Sequence, residues 1–146
     1  MTHTPPRSPA FEAIESLDDD ACRALLARHR LCTMSMVDGE APYAVPLFYG
    51  FDGDTLYLGL AEGRKTAVLD RNGRICISVV ETGDDDGWAS VQVTGEAEWL
   101  SGESREQAVQ VLMAHNRRIR AVGEAEALSG APAPEGADGA AHPRRH

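Results

Sequence analysis

Residues 41–65 read Ala-Pro-Tyr-Ala-Val-Pro-Leu-Phe-Tyr-Gly-Phe, a turn at Asp52-Gly53-Asp54, and then Thr-Leu-Tyr-Leu-Gly-Leu-Ala-Glu-Gly-Arg-Lys. Tyr43, Val45, Leu47 and Tyr49 recur at period two, and a second apolar run, residues 56–60, follows the turn, so the spacing predicts a β-hairpin. Gly63, Arg64 and Lys65 come directly after it and open a helical pattern over 65–71 that Asn72-Gly73 closes. A helix start presents free backbone N–H groups, and a guanidinium and an ammonium beside them make an anion site suited to a phosphate. Lys65 is the only lysine in the chain. Pro46 lies inside the first strand of the hairpin and cannot donate a ladder hydrogen bond. That segment is therefore an edge, a bulge, or a place where something other than a strand faces the backbone.

The surrounding elements are short and mostly strand-like. Residues 31–37 alternate apolar with Thr and Ser, and Asp38-Gly39 signals a two-residue turn into the hairpin. Residues 74–80 form an apolar, β-branched run, hence a buried strand. Residues 88–100 alternate again, with Val91 and Val93 opposite Ser90, Gln92 and Thr94. Two further helices flank these strands. The first is capped by Ser16, carries Asp18, Asp19 and Asp20 in its first turn and buries Ala21, Leu25 and Leu26. The last is capped by Ser101 or by Ser104 with Gln107, and its apolar face holds Ala108, Val111, Leu112, His115 and Ile119. His115 has no second ligand at helical spacing and reads as a packed or partly exposed histidine.

At 146 residues and 42% hydrophobic content the chain supports one domain. Residues 1–15 read as a flexible arm, 16–122 as the domain, and 123–146, rich in Ala, Gly, Pro and Glu, as a disordered tail. The net charge of −9 and the absence of a basic run argue against nucleic-acid binding. No stretch is long and apolar enough to span a membrane, and the expected location is the cytoplasm. Cys22, Cys32 and Cys76 lack metal or redox spacing. The Asp84-Asp85-Asp86 loop lacks EF-hand spacing, so no metal site is expected.

Five elements taken in order, Pro42-Tyr43-Ala44-Val45-Pro46-Leu47, Leu56-Tyr57-Leu58, Glu62-Gly63-Arg64-Lys65, Asn72-Gly73-Arg74 and Trp88-Ala89-Ser90-Val91-Gln92-Val93-Thr94-Gly95, resemble the pyridoxamine-5′-phosphate-oxidase-like flavoproteins, nearest their 5-nitroimidazole-resistance branch. The resemblance implies a mainly β (α+β) split β-barrel with two to three flanking helices, a homodimer, and FMN at the dimer interface. It implies that Arg64 and Lys65 hold the phosphate, that Val45, Pro46, Leu47 and Phe48 line the flavin ring, and that Ser90 and Trp88 approach it from the long strand. Gly59 stands where many relatives carry a histidine. The activity so implied is an FMN-dependent oxidoreductase that takes electrons from a nicotinamide cofactor and passes them to a small acceptor such as a nitroaromatic or quinone. The alternatives are a non-catalytic flavin- or haem-binding module and a deazaflavin-dependent reductase. Relatives usually add a final strand after the last helix, and the tail here shows no strand pattern, so one barrel edge is expected to be exposed or covered by a partner chain.

Overall fold

The computed structural model describes residues 15–129 and 140–141. In chain order its elements are β1 (Glu15–Ser16), α1 (Asp19–Arg28), β2 (Leu31–Asp38), β3 (Ala41–Phe51), β4 (Leu56–Leu58), α2 (Arg64–Arg71), β5 (Arg74–Thr82), β6 (Trp88–Glu96), α3 (Gly102–Ser129) and β7 (Ala140–Ala141). Five strands in the order β6-β5-β2-β3-β4 form a curled antiparallel sheet, and the two-residue strands β7 and β1 extend it beyond β6. With three helices packed around it this is an α+β split barrel, the fold class the sequence implied.

Side-chain alternation assigns the two faces of the sheet. Cys32, Met34 and Met36 of β2, Tyr49 and Phe51 of β3, Ile77 and Val79 of β5, and Ala89 and Val91 of β6 are buried together with Leu25, Leu26, Val68 and Leu69 from α1 and α2. Tyr43, Val45 and Leu47 pair in register with Met36, Met34 and Cys32 and pack against the same core. Burial raises the Cys32 thiol to a pKa of about 11, so it is an inert core group. The β2–β3 loop is Gly39-Glu40, closed by the Asp38–Ala41 pair. Gly39 adopts φ +67°, a conformation that disfavours a side chain there. In the β3–β4 turn Asp52 Oδ1 accepts from the N–H groups of Asp54 (2.9 Å) and Thr55 (2.7 Å), and these bonds lower the carboxyl pKa.

Helix starts differ in detail from the sequence expectation. Asp18, not Ser16, caps α1: its Oδ1 accepts from Ala21 N–H at 2.8 Å, while Ser16 pairs with Ala140. Asp and Ser cap equally well, so the position of the first helical residue decides between them. Helix α3 begins at Gly102, which places Ser104 inside it with its hydroxyl donating to Ser101 O at 2.8 Å. The same helix continues to Ser129, past the domain end read at residue 122. Glu124 to Leu128 are strong helix formers apart from the cost of about 1 kcal/mol at Gly123. The tail, read as lacking a strand, contributes Ala140 and Ala141 to the sheet through pairs with Ser16, Glu15 and Ala89. The rest of the expected disordered tail and most of the N-terminal arm lie outside the described residues.

Helix α3 is fixed to β3 by close approach and by buried polar contacts. A Cβ at Gly50 would fall 2.6 Å from Leu112 Cα, so only glycine lets the helix backbone lie this near the strand. Tyr49, fully buried, donates its hydroxyl to Leu26 O (2.9 Å), and its own carbonyl accepts from Asn116 Nδ2 (3.0 Å). His115, also buried, donates from Nε2 to His29 O (2.6 Å), which leaves Nδ1 to accept from Arg118 (3.3 Å). That pair of contacts assigns the neutral Nε2–H tautomer. Arg28 reaches across to β5 with two bonds to Glu81 (2.9 and 2.8 Å), and His29 adds a third (3.0 Å). Burial alone would raise the Glu81 pKa, but these partners outweigh it and the carboxyl lies below its ordinary value.

Two outcomes follow from this packing. Gly50→Ala should destabilise the fold by about 1–3 kcal/mol through overpacking, whereas Gly95→Ala, with no atom within 4 Å of the added methyl, should cost less. Urea denaturation of the two variants measures the difference. Desolvation lowers the His115 pKa below 6.5, so the stability it contributes is complete above pH 6.5 and is lost as pH falls through the folded-state value. Glu81 adds a second loss below its ordinary 4.5. Melting temperature should therefore decline from pH 7 towards pH 5, and His115→Gln should flatten that decline. An unchanged slope in the variant would assign the titration to another group.

Candidate functional site

The sheet face opposite the core carries small polar and apolar side chains. Ala44, Ser35, Cys76 and Thr94 form one row across β3, β2, β5 and β6, and Pro46, Thr33, Ser78 and Gln92 form the next. Further along the strands lie Phe48 beside Leu31, and Val80 beside Ser90. Leu31, Phe48 and Val80 are each more than half exposed, and Val37 at the other end is 42% exposed. An open groove of about 530 Å³ lies at the Val37 end of this face, lined by Ser35, Val37, Arg74, Cys76, Thr94 and Glu96 among others. That volume lies within the range of cofactor and small-molecule sites.

The start of α2 adjoins the β2–β3 hairpin from the core side of the sheet, where Asp38 and Tyr43 lie. The first α2 hydrogen bond runs from Ala67 N to Gly63 O (3.1 Å), so the N–H groups of Arg64, Lys65 and Thr66 precede the helical ladder. Thr66 Oγ1 accepts from Gly63 N–H (3.0 Å) and donates to Gly63 O (2.9 Å), which braces the turn. Arg64 pairs with Asp38 (3.1 Å) and lies over the Tyr43 ring with its guanidinium carbon 3.9 Å from the centroid. Arg71 pairs with the other oxygen of Asp38 (2.9 Å). Among the described residues Lys65 has no carboxylate partner. Three backbone donors, a free ammonium and a guanidinium with donors to spare match the chemistry of a phosphate ester.

The residues singled out from sequence divide into three places. Pro46, Phe48, Trp88 and Ser90 share the outer face, and Arg64 and Lys65 open α2 beside Asp38 and Tyr43. Val45 and Leu47 fall on the opposite face, because strand alternation turns them into the core, so only their backbone is available to the outer side. Gly59 follows β4 and faces α3, where an added Cβ would lie 3.0 Å from Leu112 Cδ2, so a larger residue would need that side chain to shift. Asp38, Arg71 and the groove residues Ser35, Cys76 and Thr94 were not identified from sequence. Asp38 reads locally as a turn residue, and its bond to Arg64 spans a distance in sequence that no local pattern reveals.

Among the described residues no group of three His, Cys, Asp or Glu side chains is placed to hold a metal ion, and no helix is long and apolar enough to cross a membrane.

The architecture defines a split-barrel protein with a phosphate-compatible helix start at the hairpin end of its sheet. The sequence model of the family described as Pyridoxamine 5'-phosphate oxidase matches residues 18–131, and the chain belongs to that family. Among solved structures, a FAD-binding protein of Mesorhizobium loti is 29% identical with a TM-score of 0.63, over 71% of this chain and 79% of its own. A candidate 5-nitroimidazole antibiotic resistance protein of Bacteroides thetaiotaomicron is 24% identical with a TM-score of 0.60, over 79% of this chain and 78% of its own. A heme binding protein of Mycobacterium smegmatis shares the fold at 21% identity and a TM-score of 0.59, over 77% of this chain and 45% of its own. The uncharacterized protein RA0666 of Rhizobium meliloti is 25% identical over 87 residues, 60% of this chain and 58% of the relative's length.

Proposed function

We propose that the protein is an FMN-dependent oxidoreductase acting as a homodimer. The observation that carries this reading is the set of unspent donors at the start of α2, at the hairpin end of a sheet whose outer face is open and partly apolar. Lys65, Arg64 and the backbone N–H groups would bind the phosphate. Pro46 and Phe48 would give the ring an apolar wall, with the Ser90 hydroxyl and Trp88 on the neighbouring strand. A bound flavin supplies hydride and electron transfer. The chain itself offers no free histidine for proton transfer among its described residues: His115 has both ring nitrogens engaged, and His29 is bonded to Glu81. Its role is to bind, orient and desolvate.

FMN is favoured over FAD because the anion site is a single helix start and no Gly-x-Gly-x-x-Gly turn is present to cradle a pyrophosphate. Flavin titration should give tighter binding for FMN than for FAD or riboflavin, and Lys65→Ala should weaken FMN by about 1.5–3 kcal/mol. Equal affinity for FAD, or an unchanged Lys65→Ala variant, would overturn the choice of FMN and the phosphate placement. The visible spectrum of the purified protein separates flavin, deazaflavin and haem. Bleaching of bound flavin by NADH or NADPH, and its return on adding a nitroaromatic or quinone, tests turnover.

The homodimer rests on the outer face. Leu31, Val37, Phe48 and Val80 expose apolar surface on one side of a single sheet, and among the described residues β6 is paired on its outer side only at Ala89. A second copy would cover both and duplicate the site. Sedimentation should show a dimer at micromolar protein, and its melting temperature should rise with FMN by mass action. Val80→Asp should give a folded monomer. A wild-type monomer with and without FMN would sink the shared-site arrangement.

A further inference from the structure

The cluster at the β2–β3 hairpin end is more than a cation beside a helix start. Asp38 Oδ2 accepts from both Nε (3.4 Å) and Nη2 (3.1 Å) of Arg64, while Oδ1 accepts from Arg71 (2.9 Å). The guanidinium is thus held along one edge by Asp38 and on one face by the Tyr43 ring at 3.9 Å. An arginine has five N–H donors in a fixed plane, so this arrangement leaves both N–H groups of Nη1 and one of Nη2, the end edge that meets phosphate oxygens in a fork. Arg71 draws on the same carboxylate, so Asp38 does not neutralise Arg64 alone.

Resting on the reading of a flavin mononucleotide site, we infer that Asp38 is a positioning residue for that site: together with Tyr43 it fixes Arg64 so that the free edge of its guanidinium is available to the phosphate. Arg64 is 62% exposed at its side chain, and an exposed arginine without these contacts would sample many rotamers. Holding it in one of them removes part of the ordering cost of binding. Asp38 would otherwise be a liability, since a carboxylate near a phosphate dianion repels it. In its doubly paired geometry that charge is taken up by Arg64 and Arg71.

The test is calorimetric titration of the full chain with FMN and with riboflavin, which lacks the phosphate. Asp38→Asn should weaken FMN roughly three- to fivefold, the scale of an exposed ion pair, and Arg64→Ala should weaken it about tenfold or more. In the double variant the Asp38 substitution should add nothing, and Asp38→Glu should recover part of the loss. Tyr43→Leu, which removes the face contact, should act in the same direction as Asp38→Asn. Riboflavin affinity should be unchanged throughout, a result that a general structural role for Asp38 would not give. Tighter FMN binding by Asp38→Asn would show that the carboxylate competes with the ligand, and an additive double variant would show that it acts by another route; either overturns the inference. If the wild type binds FMN and Lys65→Ala weakens it while Asp38→Asn does not, this inference alone fails. A wild type that binds no FMN removes the site reading and this inference with it.

Discussion

The contact of α3 with β3 is the constraint on which the rest of the barrel depends. Leu112 rests on the bare backbone of Gly50, and on either side of that contact Tyr49, His115 and Asn116 have their buried polar groups satisfied across three elements. A buried donor or acceptor left without a partner costs about 1–3 kcal/mol, so these bonds admit little sliding of the helix. Tyr49 and His115 also face each other with ring centroids 5.4 Å apart. Through Leu26 O and His29 O the same group holds the end of α1, and Arg28 carries the connection on to Glu81 of β5. One end of the barrel is therefore closed by polar bonds as much as by apolar packing.

With its core side closed, the sheet has its other side open, the side the proposed dimer would cover. Strand alternation places Met34, Ile77, Val79 and Val91 inward and leaves Ser35, Cys76, Ser78, Ser90 and Thr94 outward, a surface of small side chains over which a flat ring could lie. In the proposed reading, phosphate recognition falls at the hairpin end, where α2 begins. In a chain of net charge −9 the cations must be gathered locally to attract an anion, and Arg64, Lys65 and Arg71 are so gathered, with Asp38 as the organising carboxylate. Between the row of Ser35 and that of Leu31 the strands rise by roughly 13 Å, which separates the polar end of the site from its apolar end.

Much of this was legible in order along the chain. Period-two alternation gave the faces of β2, β3 and β6, the Gly-Arg-Lys element marked the start of α2, and five motifs in sequence pointed to the family that residues 18–131 match. Alternation also carried a warning about Val45 and Leu47: residues on either side of Pro46 and in step with Tyr43 and Tyr49 must face the core if those tyrosines do. A family likeness that groups four consecutive residues around a ring does not distinguish side chain from backbone. The tail was read as featureless because two alanines carry no strand signal. Their pairing with Ser16, Glu15 and Ala89 depends on backbone groups at an available edge, which any residue except proline can supply.

The sequence by itself determined the local periodicities, the turn at Gly39, the cation pair at the head of α2 and the family, since each depends on neighbours within a few residues or on a fixed order of short motifs. Tertiary structure alone decided that Asp38 would meet both Arg64 and Arg71, that Gly50 would lie under Leu112, and that His115 would give up its solvent to bond His29 O. Those contacts join residues that are 26, 33 and 86 positions apart where a side-chain bond is formed. They come about through chain closure and the need of buried polar groups for partners, and neither leaves a pattern in the sequence around the residues concerned.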